Sequence, residues 1–337
     1  MKRAALLVAL MLAACFGSES TDTPPESLDE DTGSFVYLTT DHSLTIVDVD
    51  RQRVTVNPLQ ELASGDPQYR LVRRGDVLAA YGQTSIGPAV FVIDPDRPEQ
   101  PTLLDEAWFF VPSTHEERVW LAILDDASPD TVRALAAVRE VTLDGTATIA
   151  DVRPPDGSWP VGAVADGLMF QSDTDLALWD PVSRSLVDSF PGPFPVATWN
   201  NRLVTCAACD EVHLIDLDTG QSRTIDIPED VGAVDGYGGA FSPDGRYVAV
   251  PAARLNDGVT SNSPVGVVII DFDLATTTFV PGTRQSSWDY PRVAWNSDGE
   301  WLFFSNGDQL LAYRPGDDSA RTVAVELDGP YYGLAAR

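Results

Sequence analysis

Short apolar runs and polar turns alternate along the chain from Phe35 onward, and the pattern returns about every 40 residues. Residues 240–250 and 294–304 show it most clearly, because each segment places two apolar runs around a Ser-Pro-Asp-Gly or Asn-Ser-Asp-Gly corner. Proline, aspartate and glycine supply the fixed φ, the side-chain cap and the positive φ that a tight hairpin needs. An alternating strand that ends in aspartate recurs after the corners, as at residues 45–48, 91–94, 177–180, 214–216 and 268–271. Each repeat therefore predicts four short antiparallel strands, named a to d.

A single four-stranded sheet cannot bury both of its faces, whereas sheets stacked around a common axis can. Seven repeats begin near Phe35, Gln68, Ala107, Trp159, Phe194, Tyr237 and Tyr290. We therefore predict an all-β fold, a seven-bladed β-propeller of four-stranded antiparallel blades with strand a innermost. Residues 131–140 have a helix-like pattern, but the repeat assigns them to the b–c loop and strand c of the third blade.

The first repeat begins directly with strand b, since residues 35–38 have no strand a before them. The last residues, 330–336, read Pro-Tyr-Tyr-Gly-Leu-Ala-Ala and match strand a of other repeats, such as residues 236–241. We therefore predict that the C-terminal strand joins blade 1 and closes the ring, which leaves no open sheet edge there.

The repeat and its Phe-Ser-Pro-Asp-Gly corner at residues 241–245 resemble the broad WD40, TolB-like and YVTN-type propeller group. The resemblance covers about nine tenths of the chain, and the corner is most similar to the TolB-type repeat. It implies the propeller architecture. Members of this group are mostly binding platforms, with some enzymes, so the resemblance leaves the function open.

The N-terminus carries a separate signal. Lys2 and Arg3 precede an apolar run at residues 4–12, which is too short to span a bilayer and is typical of a secretory signal peptide. The Leu-Ala-Ala-Cys sequence at residues 12–15 resembles the lipobox of bacterial lipoproteins, which implies lipid attachment to Cys15 and cleavage before it. An ordinary secretory signal with a coincidental cysteine is the alternative.

Residues 18–33 contain six acidic residues, two prolines and one large apolar residue. Such a segment buries too little apolar surface to offset its ordering entropy, so it predicts a flexible tether. The expected organisation is a signal peptide at residues 1–14, the lipidated Cys15 and a disordered tether at 15–33, and the propeller at 34–337.

The chain is strongly acidic, with 51 Asp and Glu residues against 22 Lys and Arg residues and a net charge of −29. Lys2 is its only lysine. This charge repels the phosphates of nucleic acid and of anionic lipid surfaces, so we expect no nucleic-acid partner and membrane contact through the lipid anchor alone. Solubility or a salty habitat explains the charge, and attraction to a cation or a basic partner is the alternative.

The residues that could support chemistry are few. The repeat places His42 in a b–c turn of blade 1, His115 in an a–b turn of blade 3 and His213 in strand c of blade 5, so we expect no shared catalytic or metal site.

Cys206 and Cys209 predict a local disulfide in an oxidising compartment, with a reduced pair or a zinc site as alternatives. No catalytic residue, metal or cofactor is predicted.

Turn formation explains two further motifs. Paired aspartates at c–d turns, as at residues 94 and 96 or 216 and 218, predict capping of their own turns rather than calcium binding. An Arg-Gly-Asp tripeptide at residues 74–76 falls where an a–b turn is needed.

An aromatic residue stands just before or at the start of strand a in every repeat. The d–a and b–c loops share one face of a propeller, and long b–c loops at residues 125–131 and 255–264 extend it, which is where binding usually lies. A circle of aromatic residues with acidic residues between them suits a sugar, a peptide or a cationic group. The alternative is that these aromatics wedge between blades. The predicted ligand-binding residues are Tyr69, Trp108, Trp159, Phe194, Tyr237, Trp288, Asp289, Tyr290 and Tyr331.

These observations predict a lipid-anchored protein outside the cytoplasmic membrane, on the cell surface or the periplasmic face. We expect a monomer that acts as a non-enzymatic binding or scaffold protein for an envelope or extracellular protein, or for a small ligand, on the channel face. The alternative is an exported enzyme of the lactonase or hydrolase type, in which acids such as Asp235 or Asp289 line the channel.

Overall fold

The computed structural model describes residues 26–62, 71–124, 135–155, 157–165, 167–172, 175–190, 194–206, 211–228, 231–234, 238–254, 264–285, 292–306, 309–329 and 331–337. The described residues form 29 β-strands. No helix that could cross a membrane occurs among them.

The strands follow one another around the ring. The first two blades contain β1 (Phe35–Thr39), β2 (Ser43–Asp48) and β3 (Arg53–Pro58), then β4 (Leu71–Arg74), β5 (Val77–Gln83), β6 (Pro88–Ile93) and β7 (Thr102–Glu106). Blades 3 and 4 contain β8 (Phe109–Pro112), β9 (Arg118–Leu124), β10 (Leu135–Thr142) and β11 (Ala147–Val152), then β12 (Trp159–Val164), β13 (Gly167–Gln171), β14 (Leu176–Asp180) and β15 (Ser185–Phe190).

Blade 5 contains β16 (Phe194–Trp199), β17 (Arg202–Cys206), β18 (Glu211–Asp216) and β19 (Gln221–Asp226). Blade 6 contains β20 (Val231–Val234), β21 (Ala240–Phe241), β22 (Tyr247–Arg254), β23 (Pro264–Asp271) and β24 (Thr276–Gln285). Blade 7 contains β25 (Arg292–Trp295), β26 (Leu302–Asn306), β27 (Gln309–Tyr313) and β28 (Arg321–Val323), and β29 (Gly333–Ala336) ends the chain.

The seven antiparallel sheets confirm the predicted all-β propeller. The order of blade 1 is β29-β1-β2-β3, so the C-terminal strand supplies strand a and closes the ring as predicted. Val36 pairs with Ala336 and Thr39 with Gly333, and the backbone groups of Phe35 and Arg337 exchange two hydrogen bonds of 2.9 Å. A closed ring leaves no inner strand exposed to pairing with another chain.

The corner motif forms the a–b turns that its residues favour. In blade 6, the Asp244 carboxylate accepts hydrogen bonds from the Ser242 hydroxyl at 2.5 Å and from the Arg246 amide at 3.0 Å. Gly245 adopts a φ of 73°, which glycine reaches without the strain that a Cβ brings. The equivalent Gly299 of blade 7 has a φ of 76°. The predicted tight hairpins are confirmed.

Blade 6 departs from the regular pattern, because its strand a is in two pieces. β20 pairs with the distal end of β22, at Val231 with Arg254, whereas β21 pairs with its proximal end, at Ala240 with Ala249. The predicted start of this repeat, Tyr237, falls between the pieces and outside the described residues. Gly239 lies directly on the inner strand of blade 5, since a Cβ built on it would lie 2.6 Å from a backbone oxygen.

The hydrophobic core is divided among clusters between neighbouring blades. The cluster between blades 7 and 1 contains the fully buried side chains of Leu38 and Phe303 together with Leu334 of the closing strand. The b and c strands are the most apolar elements because both of their faces are covered, whereas β3 and β19 are largely exposed. The blades therefore provide a rigid frame around the central axis.

The ordered domain begins earlier than the predicted boundary at residue 34. The bridge between Ser27 and Thr322 places residues 26–28 parallel to β28, and Leu28 is 5% exposed within the cluster between blades 7 and 1. The Glu30 carboxylate accepts hydrogen bonds from Arg314 at 2.9 Å and from Arg321 at 2.6 Å. Leu28 is the one large apolar residue among residues 18–33. Residues 26–33 thus belong to the domain, and the tether prediction concerns residues 15–25, outside the described residues.

Candidate functional site

The two ends of the strands give the ring two faces. The face that carries the a–b and c–d turns is called the turn face, and the face that carries the b–c and d–a connections is called the loop face. The predicted aromatic site belongs to the loop face. Of its nine residues, five lie outside the described residues: Tyr69, Tyr237, Trp288, Asp289 and Tyr290. Asp235 and most of the two long b–c loops also lie outside them.

The other four predicted aromatics lie at contacts between blades. The rings of Trp108 and Trp159 meet between blades 3 and 4 with their centroids 4.9 Å apart. Phe194 packs against the cluster between blades 5 and 6, and Tyr331 is 9% exposed in the cluster between blades 7 and 1. None of these four lines the central cavity. This is the wedge arrangement stated above as the alternative, and their contact with a ligand stays a prediction.

A cavity of about 410 Å³ runs along the axis of the ring. All seven blades contribute to its wall, and many of the lining residues are small, such as Ala163, Gly239 and Ala335. Small residues on strand a leave this space open, and the side chains at the strand ends reach into its mouths. The charged residues of the wall, within the described part of the chain, are Arg73, Arg74, Glu116 and Arg292.

The cavity continues on the turn face into a recess of about 670 Å³ beside blades 3 to 5. Thr114, Trp199 and Asn200 line both spaces. The remaining residues of the recess are His115, Ala165, Asn201, Arg202, Asp216 and Asp218. This mouth lies on the opposite face from the predicted aromatic site, and sequence reasoning did not find it.

Two consecutive arginines at the end of β4 define this mouth. Arg74 donates from Nη2 to the backbone oxygen of Ser113 at 2.7 Å and to that of His115. Arg73 reaches the other way around the axis, past blade 1, and donates from Nη1 to Ser297 Oγ of blade 7 at 2.6 Å.

Neither arginine forms an ion pair with a described residue. The ion pairs of the described residues do not include Arg73 or Arg74, and the Nε atom of each is buried without a hydrogen-bond partner. Burial lowers the pKa of the Arg74 guanidinium to about 10, although the negative charges of Glu116 and Glu140 oppose this shift. Arg74 therefore stays protonated at neutral pH as a positive charge with little access to water.

The histidines lie where the repeat predicted them. His42 is exposed in the b–c turn of blade 1, His115 is exposed in the a–b turn of blade 3, and His213 lies on β18. The Nδ1 atom of His213 and the Thr224 hydroxyl are 3.0 Å apart, so the His213 imidazole has a hydrogen-bond partner within its own blade. Among the described residues, no three His, Cys, Asp or Glu side chains are grouped as metal ligands.

Cys206 ends β17 and is fully buried. Cys209 lies outside the described residues, so the disulfide stays a prediction, as does lipidation of Cys15 for the same reason.

The predicted aspartate caps are confirmed: Asp94 Oδ1 accepts from the Asp96 amide at 3.0 Å, and Asp216 Oδ1 accepts from the Thr219 amide at 2.9 Å.

No protein-family model matches this sequence, and no curated protein matches it significantly. The fold is similar to TolB from Acinetobacter baumannii, with a TM-score of 0.51, 12% identity, and coverage of 94% of this chain and 88% of TolB. It is similar to the WD40 propeller domain of Doa1, with a TM-score of 0.54, 13% identity, and coverage of 85% and 90%. A candidate 6-phosphogluconolactonase from Bacteroides fragilis gives a TM-score of 0.53, 12% identity, and coverage of 92% and 100%.

These likenesses establish the architecture and extend over nearly the whole chain. They confirm the structural part of the resemblance to TolB-like and WD40 propellers. At this level of identity they show the fold alone, so the chemistry of the site has to be argued from the residues of this chain.

Proposed function

We propose that this chain is an exported, lipid-anchored β-propeller that binds a ligand or partner outside the cytoplasmic membrane without catalysing a reaction. The observation that carries the proposal is the open central cavity on a rigid ring, with unpaired polar groups at its turn-face mouth. The three histidines lie on separate elements, which favours binding over acid–base catalysis. The secretory signal and the lipobox-like residues support the location.

The anchor is tested by fractionation. Cys15→Ala should shift the protein from the membrane fraction to the soluble fraction, or block its processing, because it removes the thiol that would carry the lipid. Cys206→Ala is the matched control, since it removes a cysteine from the folded domain and should leave the protein in the membrane fraction. Retention of the Cys15→Ala protein in the membrane at unchanged size would contradict the anchor.

The binding role is tested by cross-linking on whole cells, followed by mass spectrometry of the captured molecules. We expect a stoichiometric envelope or extracellular partner, or a small ligand, bound by a monomeric propeller. Two variants locate the contact on the loop face: one replaces Trp288 and Tyr290 with alanine, and the other shortens residues 255–264 to a tight turn. If both fold and bind like the parent, the loop face is not the binding site.

An exported lactonase or hydrolase is the second candidate. It is favoured by the similarity in fold to the candidate 6-phosphogluconolactonase and by the charged lining of the cavity. Turnover of a lactone by the purified protein, lost in Asp235→Asn or Asp289→Asn, would support this candidate over pure binding. Stoichiometric capture of one partner without turnover would support the binding role.

A further inference from the structure

We propose that the turn-face mouth of the channel, at Arg73 and Arg74, binds a carboxylate or phosphate group of a small acid. The inference deepens the proposed binding role, on which it rests, by naming the chemical class of the ligand. It starts from the contrast between the charge of the chain and the charge of this mouth.

Several arginines elsewhere on the ring pair with acids, whereas Arg223 donates to the backbone oxygens of Phe272 and Asp273. Arg97 pairs with Asp94 at 2.9 Å, Arg246 with Asp271 at 2.9 Å, and Arg314 with Glu30 at 2.9 Å. The chain has 51 acidic residues for 22 basic ones, so acids are abundant. Arg73 and Arg74 differ from these arginines because they line one cavity mouth side by side, with a buried and unpartnered Nε atom on each and no described acid within ion-pair distance.

The two guanidinium groups are also held in place. Arg74 is anchored by two carbonyl oxygens of the blade 3 turn, and Arg73 by a hydroxyl of blade 7. An arginine has five N–H donors in a fixed plane, and these contacts use one terminal nitrogen of each residue. The remaining donors have no described acceptor. Two preoriented planar donors match the geometry of a carboxylate or a phosphate.

Burial makes an acid at this mouth favourable. An unpaired positive charge with reduced access to water is unfavourable, and a bound anion would supply the missing partner in a region where Coulomb attraction is weakly screened. Among the described residues of the lining, Glu116 is the one acid, a single carboxylate beside Arg73, Arg74 and Arg292. The cavity of about 410 Å³ leaves room for a small molecule rather than for a folded protein segment.

The alternative is that both arginines serve only to brace the blades, since their hydrogen bonds link blade 2 to blades 3 and 7. A brace requires the bonds to Ser113 and Ser297, and its loss lowers stability. A brace does not produce saturable anion binding. Binding and stability must therefore be measured separately.

The test uses the purified mature chain and two probes, inorganic phosphate and citrate, titrated by calorimetry at constant ionic strength with sodium chloride as the balancing salt. We expect saturable one-site binding of at least one probe. Arg73→Gln and Arg74→Gln should each weaken it about tenfold or more, the effect of losing a charged hydrogen-bond donor. Arg97→Gln, which makes the same charge change at an exposed turn, should bind like the parent.

The double variant Arg73→Lys, Arg74→Lys keeps the charge and removes the planar donors, so it separates folding from recognition. If it is folded and binds more weakly than the parent, the proposal is supported. The proposal is overturned if the parent shows no saturable binding of either probe, or if the arginine variants bind as the Arg97→Gln control does. Cellular capture of a partner without anion binding would overturn this inference and leave the binding role intact.

Discussion

Leu334→Ala tests whether the C-terminal strand closes the ring in solution. Leu334 lies in the middle of β29, pairs with Leu38 of β1 and is 7% exposed. Truncation of a buried leucine to alanine costs about 2–5 kcal/mol, through lost apolar burial and the cavity left behind. Because Leu334 also borders the open channel, we expect the lower part of this range, about 2–3 kcal/mol.

The measurement is urea denaturation followed by tryptophan fluorescence. Leu186→Ala is the matched control, because Leu186 is 57% exposed on the outer strand β15 and its truncation should change stability by less than about 0.5 kcal/mol. Deletion of residues 333–337 removes the whole strand and should lower stability further than Leu334→Ala. If Leu334→Ala and Leu186→Ala unfold at the same urea concentration, β29 does not close the ring.

Three further predictions concern single sites. Gly245→Ala should destabilise the protein by about 2 kcal/mol or more in thermal unfolding, because the new Cβ would lie 2.2 Å from a tryptophan ring carbon of blade 5. Gly220→Ala is the control, since its Cβ would meet no atom within 4 Å and the change should cost only about 1 kcal/mol. Hydrogen bonds and charge from Arg321 and Arg314 lower the pKa of Glu30 from its ordinary value, so Glu30→Gln should be less stable than the parent at neutral pH and should converge with it as the pH falls through the lowered pKa. Cys206 and Cys209 should resist alkylation under denaturing, non-reducing conditions, and two labelled thiols would contradict the disulfide.

The blade architecture could be predicted because it is encoded locally. Each corner brings together Pro, Asp and Gly within a few residues, and each c strand ends in an Asp that caps the turn after it. Closure was also predictable, since the residues at 330–336 match an inner strand that the first repeat lacks. These signals need no knowledge of which blades are neighbours.

The domain boundary and the arginine mouth depend on distant partners, which a local pattern does not contain. Glu30 meets Arg314 and Arg321 across almost the whole chain, so its segment has the composition of a tether although it is docked. Arg73 finds its acceptor on Ser297, 224 residues away. The sequence pattern predicted a turn at residues 74–76, and this is correct for the backbone. The pattern does not predict where the arginine side chains lie.

The same geometry limits where specificity can arise in this ring. Many of the residues that line the channel are small, such as Ala163, Gly239 and Ala335, and these offer few groups that distinguish one ligand from another. The two mouths differ because the strands end there and longer side chains begin. At the turn face, the last two residues of β4 place positive charge for which the described residues supply no ion-pair partner. At the loop face, the contact of aromatic residues and long loops with a larger partner stays a prediction. A small acid at one mouth and a larger partner at the other would therefore use independent residues, and variants at Arg73 should leave binding at the loop face unchanged.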